Sequence, residues 1–333
     1  MFRHSLLSLF FILLLTACGT FEPAKTPTAT PPPPTPSPEP VDLVPMEPIL
    51  IIAEAGDGAE PFHTLHSVIM DGQGRIVVTD TGNHVVYLFD QGGNFIKTFG
   101  SYGSGPGEFQ RPTGVWADAQ GRLWVTDRRN AEVDVFDGEG NYLFSVGEPG
   151  DGEGQFTEPQ GIYILDELVY VTDAALSTIN VFNLEGRWLK TCGGAEATEP
   201  PLGGIEFIVV DDERQMYLAD EANSRVVVFE RGGRPIYTLG RRGQGRGAFV
   251  QDVEGMALDA AGRLYVADEA GKRINVFTKE GQFLAALGKG AGSAPGEFNS
   301  PNGLFIHTEL NWLLVADQGN QRIQVFDLDD VSF

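Results

Sequence analysis

Disulfides cannot hold this protein together, because its 333 residues contain only two cysteines, Cys18 and Cys192. Cys18 falls in an N-terminal export signal, and Cys192 sits in a strand-like run where an inert core thiol is expected. The fold must therefore stand on packing. Positive charge is also scarce: 23 Lys and Arg face 46 Asp and Glu, a formal charge of -23. Such a surface repels phosphate backbones and excludes broad nucleic-acid binding. It equally disfavours attraction to anionic lipid, so membrane contact requires an anchor. Long apolar runs are missing, since the stretch from Leu6 to Leu15 is too short to span a bilayer comfortably. Catalytic signatures are missing as well. No Ser-His-Asp or Cys-His pairing is readable, and the Gly-rich stretches open no helix that could cradle a phosphate. His63 and His66 form an H-x-x-H pair on a loop-to-strand segment, not on a helix, so a zincin reading fails.

What is present begins with processing signals. Arg3 and His4 precede the short apolar run, which fits the hydrophobic region of a signal peptide. The run ends in Leu15-Thr16-Ala17-Cys18, which resembles the bacterial lipobox. That resemblance implies that residues 1–17 are removed and that Cys18 is lipidated as the mature N-terminus. It also implies a bacterial cell-envelope protein, extracytoplasmic and held to its membrane by lipid. The following stretch, with TPTATPPPPTPSPEP at its heart, is too proline-dense to build a core. It reads as a semi-rigid polyproline II spacer, so residues 18–47 are assigned to the lipidated cysteine and linker.

The rest repeats itself. A short aliphatic or aromatic run ending in Asp recurs at Asp80, Asp127, Asp173, Asp220, Asp268 and Asp317, at spacings of 47, 46, 47, 48 and 49. So regular a period means one array over residues 48–333, not two domains. Each unit continues through a polar turn into a second strand (VVYLFD, EVDVFD, RINVF), then a third (NFIKTFG, NYLFSVG, QFLAALG). A Gly-rich loop leads to a fourth (GVWAD, GMALD). Four short strands in about 45 residues is the plan of a propeller blade. A lone strand from Ile49 to Ala55 precedes the array, and the last unit is one strand short. The lone strand is predicted to complete the sixth blade and remove two exposed sheet edges.

The run NQRIQVFD, the loop GSGPGEFQRPTGV and the segment RLYVAD resemble NHL repeats. The resemblance implies an all-β, six-bladed β-propeller of four-stranded NHL-type blades, closed by the N-terminal strand. The third repeat departs most: ALSTIN replaces the usual Asn-x-Arg turn, and GGAEATEPPLGG lacks the Pro-Gly-Glu-Phe pattern.

Six identical aspartates at symmetric positions suit turn capping better than catalysis, which needs asymmetric roles. The informative positions are those that vary. One residue at the start of each inner strand does so: His66, Thr113, Gln160, Glu206, Glu254 and Asn302. Inner strands line a propeller's channel, so these six are predicted to converge at one mouth as a ligand-binding ring. Two carboxylates held together share a proton or a cation. With an amide oxygen they suit Ca²⁺ or Mg²⁺, and His66 extends the choice to Zn²⁺ or Mn²⁺. The set is similar to gluconolactonase-like propellers, in which acidic residues and an Asn hold a catalytic divalent metal. Pro301-Asn302-Gly303-Leu304 resembles the Asn-bearing segment there.

Two functions follow. One is a binding or scaffolding module that presents its channel mouth and top loops to a protein, peptide or glycan partner. The alternative is a metal-dependent hydrolase of the lactonase type, using His66, Glu206, Glu254 and Asn302 around a divalent cation such as Ca²⁺. The first requires no chemistry beyond the residues seen, and the fold alone does not choose between them.

Overall fold

The computed structural model describes residues 41–56 and 58–332. Cys18 and the proline-rich stretch up to residue 40 lie outside the described residues. Runs such as Ile76–Asp80 and Val85–Phe89 are too short and too β-branched for helix, and each pairs with its sequence neighbour. The result is six antiparallel sheets of consecutive strands, a six-bladed β-propeller.

The first strand of each blade is innermost. These are Leu65–Met70, Pro112–Ala117, Pro159–Leu165, Ile205–Val210, Val253–Leu258 and Pro301–His307. Each touches the next around the ring, and the last touches the first. Closure is made as the sequence predicts: Pro48–Ile52 pairs antiparallel with Arg322–Asp327 as the outer strand of blade six.

The fold begins earlier than residue 48, however. Leu43–Val44 pairs in parallel with Phe283–Leu287 on the outside of blade five. Met46, only 2% exposed, is buried in the core shared by blades five and six. The prolines around it hid this segment from a reading based on composition, although its apolar side chains have a surface to cover.

Apolar layers between neighbouring blades form the core, and each is keyed by a loop residue. Phe62, Phe109, Phe156, Phe249 and Phe298 are all buried, four of them completely. They meet a second-layer aromatic, as in Phe109–Phe136 and Phe156–Phe182, both with centroids 5.6 Å apart. The irregular third repeat keeps the key in altered form, with Leu202 buried in that place.

The repeated aspartates are wholly buried caps. Asp127 accepts from the backbone N–H groups of Gln110, Arg111, Arg129 and Asn130, at 2.6 to 3.0 Å. It thereby ties the loop entering a blade to the turn leaving its second strand.

Blades one to three and four to six are fastened differently. In the first three, a threonine before the aspartate donates across the blade boundary. Thr79 reaches the Thr113 carbonyl at 2.6 Å, Thr126 the Gln160 carbonyl at 2.6 Å, and Thr172 the Glu206 carbonyl at 3.0 Å. In the last three that residue is Ala219, Ala267 or Ala316, and a buried arginine pairs with the aspartate instead. The pairs are Arg225–Asp220 at 2.6 Å, Arg273–Asp268 at 2.9 Å and Arg322–Asp317 at 2.9 Å.

Candidate functional site

Every inner strand slips register just after its first residue. The breaks fall at Leu65/Val68, Pro112/Val115, Pro159/Ile162, Ile205/Ile208, Val253/Met256 and Pro301/Leu304. Such an irregularity frees two residues from the ladder and re-aims their side chains. The first of each freed pair is the varied residue picked out by sequence. The second is usually glycine, for a steric reason: a Cβ on Gly161 would lie 2.4 Å from the Glu206 carbonyl oxygen, and one on Gly303 2.4 Å from that of His66. In blade four it is Phe207.

The six predicted residues do not share one role. His66 is buried and its imidazole is stacked on Phe207, with centroids 5.2 Å apart. Burial first, then the charges of Arg111 and Arg128, push its pKa down to about 3, so the ring is neutral at physiological pH. Thr113 is fully buried; its hydroxyl meets Thr126 Oγ1 at 2.9 Å and donates to the Gln160 carbonyl at 3.2 Å. It bolts blades two and three together and offers nothing to a ligand, a correction to its place in the predicted binding ring. Gln160 Nε2 donates to Glu206 Oε1 at 2.7 Å. Glu206 also lies 3.7 Å from Arg128 Nη1. Burial raises the Glu206 carboxyl, opposed by the Arg128 charge and the Gln160 bond. Burial and then repulsion from Glu206 hold Glu254 well above the ordinary carboxylate range. Glu254 also hydrogen-bonds Glu206, which works against the rise of the Glu206 carboxyl. Asn302, on blade six, is buried like Glu254.

Four of these residues keep a buried polar atom without a partner: His66 Nδ1, Gln160 Oε1, Glu254 Oε2 and Asn302 Oδ1. All are acceptors. The neutral His66 ring makes its hydrogen bond to the Thr113 backbone, which leaves Nδ1 to accept. A buried polar atom left unsatisfied costs about 1–3 kcal/mol.

The cation set implied by the gluconolactonase resemblance does not assemble. Among the described residues no three His, Cys, Asp or Glu side chains gather to hold a metal. His66 lies on Phe207, and Glu206 is engaged by Gln160 and Arg128. These residues do not fit the proposed Ca²⁺ or other divalent cation.

A second set of residues was missed by sequence reading. Arg111 precedes an inner strand and Arg128 follows a repeated aspartate, so both flank the ring on blade two. With Arg129 and Glu158 they line a cavity of about 250 Å³. Arg128 pairs with Glu158 at 2.5 Å, while the Arg111 and Arg129 guanidinium groups have no ion-pair partner among the described residues. The same two places on blades four and five carry Glu221, Asp252 and Glu269. Burial, then Glu206 and Asp252, lift Glu221 to about 7. Carrying the sequence alignment one residue outward would have exposed this polarity.

At the far end of the inner strands the chemistry changes. Trp116, Tyr163 and Phe305 cluster there, with Trp116–Tyr163 centroids 4.2 Å apart, and line a cavity of about 200 Å³.

A family model described as "6-bladed beta-propeller" matches residues 61–122, 116–193 and 255–333, well over half of the chain. The chain belongs to that family. The stretch between the second and third matches holds blade four, with Glu206, Phe207 and Glu221. No curated protein matches the sequence. Solved structures show the same propeller fold. A Bacteroides thetaiotaomicron protein of unknown function has a TM-score of 0.63 at 16% identity, covering 82% of this chain and 71% of that one. A streptogramin B lyase has a TM-score of 0.56 at 14% identity, covering 81% and 85%. A catalytically inactive virginiamycin B lyase from Staphylococcus aureus, solved with quinupristin, has a TM-score of 0.54 at 12% identity, covering 80% and 85%. At such identities these likenesses speak for the fold alone.

Proposed function

We propose that this propeller is an NHL-type, lipid-anchored, extracytoplasmic binding module whose channel mouth and surrounding loops hold a ligand or a protein, peptide or glycan partner. The observation that carries the reading is the set of four buried, unpartnered polar atoms at the inner-strand starts. Four of the nine such atoms among the described residues stand at the inner-strand starts, where Thr79, Thr126 and Thr172 nearby pass their hydroxyls on to backbone carbonyls. The channel is bridged by His66 and Phe207, which favours a receptor mouth over a conduit. The lactonase-type hydrolase rests on a cation cage that these side chains do not form, so it has less support.

The anchor rests on Leu15-Thr16-Ala17-Cys18 and the spacer behind it. Wild-type protein should partition with detergent-extracted membranes, and Cys18→Ser should release it or stall its processing. Fully soluble wild-type protein without lipid mass on its N-terminus would refute the anchor. For binding, the test is affinity capture from envelope extracts with wild type, the double variant Arg111→Ala/Glu254→Gln, and Ile96→Ala on the exposed outer strand of blade one. A partner held by wild type and Ile96→Ala but lost from the double variant supports the mouth. Equal capture by all three refutes it.

A further inference from the structure

Two cavities meet at the far end of the channel. Three residues on from the varied positions, the inner strands carry Ile69, Trp116, Tyr163, Val209, Ala257 and Phe305. The large rings stand on blades two, three and six, while blades four and five answer with Val209 and Ala257. The mismatch in size leaves an apolar hollow of about 200 Å³ between them. Trp116 joins its wall to Tyr163 and Phe305, with centroids 4.2 and 5.7 Å apart. That is room for one aromatic ring, since an apolar cavity of about 150 Å³ admits benzene. A second cavity, of about 480 Å³, shares Tyr163, Leu258 and Thr308 with the first, so the two adjoin. Its lining is acidic: Asp211, Asp212, Glu213 and Asp259 against the one cation Lys279. Lys279 Nζ pairs with Asp211 at 3.1 Å and Glu213 at 3.0 Å, and Arg263 pairs with Asp259. Asp212 is exposed and has neither an ion-pair nor a hydrogen-bond partner among the described residues. Tyr163 stands where the cavities join, and its hydroxyl likewise has no hydrogen-bond partner among the described residues. The hydroxyls of Tyr217 and Tyr265, by contrast, are taken up by Asp211 and Asp259. Burial first, then the charges of Asp212 and Asp211, push the Tyr163 phenol up to about 12, so it keeps its proton.

We infer that this end of the channel is a seat for a small arylalkylammonium ligand, its ring in the Trp116/Tyr163/Phe305 hollow and its ammonium beside Tyr163 Oη and Asp212. The seat is separate from the mouth at the inner-strand starts and does not depend on it. The ring leaves water and gains aromatic contacts, whereas the ammonium is too costly to bring into an apolar hollow and stays at the acidic rim. There Tyr163 Oη accepts one of its N–H donors, and the Asp212 charge attracts it. Lys279 is matched by Asp211 and Glu213, so it does not oppose the ligand. A carboxylate in place of the ammonium is repelled by Asp212, and a neutral isostere keeps the ring contacts without the Coulomb attraction. Charge at the rim is therefore the source of selectivity.

The test is calorimetric titration of the full-length protein in detergent, against detergent-only blanks, with benzylammonium, phenylethylammonium and phenylbutylammonium as probes of increasing reach. Phenylethanol, phenylpropionate and ethylammonium serve as the neutral, anionic and ringless controls. At least one arylalkylammonium should bind about tenfold more tightly than phenylethanol, and more tightly still than the other two controls. Asp212→Asn should remove the advantage over phenylethanol and leave the alcohol's own affinity unchanged. Ala257→Leu fills the hollow and should abolish binding of ammonium and alcohol alike. Asp212 is exposed and free of partners, so its variant keeps the test decisive even if Ala257→Leu does not fold. Phenylethanol binding as tightly as the ammonium probes overturns the inference, because the rim then contributes nothing. Ethylammonium binding as tightly overturns it from the other side, because the hollow is then unused. Binding unaltered in a folded Ala257→Leu protein, or in Asp212→Asn, places the ligand elsewhere and overturns it too, and binding by none of the three probes overturns it outright.

Discussion

His66 and Phe207 lie face to face, their ring planes 15° apart, although they sit on blades one and four, opposite each other across the propeller axis. The contact exists because blade four alone places a large side chain where four other blades have glycine. It bridges the channel and dries the imidazole.

Removing that lid should show in both partners. Phe207→Ala should cost about 3 kcal/mol, toward the lower end for a buried phenylalanine, because the channel can admit water. His66 should then titrate well above its present value of about 3, nearer to 6.5. Denaturant unfolding and an NMR titration of the ring measure these. An unchanged His66 pKa means that something other than Phe207 keeps it dry.

Glu254 should set part of the pH dependence of stability. Its folded pKa lies above the ordinary 4.5, so the folded state binds the proton more tightly than the unfolded chain. The stabilising contribution is complete below about pH 4.5 and is lost as pH rises through the folded pKa. Glu254→Gln should flatten the decline in melting temperature above pH 5, and Glu221, at about 7, should supply what slope remains. A slope unaltered by the substitution removes Glu254 as its source.

Asp134 carries a similar liability outside the mouth. Asn180, Asn275 and Gln324 occupy the same place in other blades and each donates to a loop carbonyl, those of Gln155, Ala248 and Glu297. Asp134 can donate only when protonated. Burial, with a lesser push from Glu132 and Asp127 against the Ser145 bond, lifts it to about 7, and its Oδ2 has no partner. Its contribution fades as pH rises from 3.8 through about 7. Asp134→Asn should therefore raise the melting temperature at pH 8 and change little at pH 5. Equal melting curves at pH 8 overturn the argument.

The threonine bolts should be individually necessary. Thr126 accepts from the Gly114 N–H at 2.7 Å and donates to the Gln160 carbonyl at 2.6 Å. Thr126→Val keeps the volume but strands both groups, at a cost of about 1–3 kcal/mol. Chemical denaturation measures it, and a neutral result means that water replaces the hydroxyl.

Stepwise shortening of the N-terminus should lower stability in two stages. A chain starting at Pro48 loses the Leu43–Val44 strand and buried Met46, and should melt somewhat earlier than one starting at residue 41. A chain starting at Phe62 also loses Pro48–Ile52 and exposes the edge of blade six, so it should aggregate or melt far earlier. Identical melting of all three would show that closure is not a source of stability.

Much of the architecture was legible because it repeats. A 46-to-49-residue period of Asp-ended strands fixes the blade count, and the missing last strand fixes how the ring closes. Even the list of varied residues was readable, since side-chain alternation and a glycine at the next position mark the same place in five repeats out of six when Ser67 is counted as its nearest substitute. The start of the fold was not readable, because Leu43, Val44 and Met46 are too few and too interrupted by proline to signal a strand without the blade they cover.

Sequence by itself determined the six blades, the buried aspartates and the polar character of the inner-strand starts, since each follows from short-range pattern and turn chemistry. Only the tertiary structure decided what those starts do. Thr113 turns into a blade boundary, His66 reaches Phe207 three blades away, and Glu206 and Glu254 come within hydrogen-bond reach of each other. The reason is geometric: ring closure sets distances between residues 46 to 258 positions apart, and no local propensity encodes which of them meet.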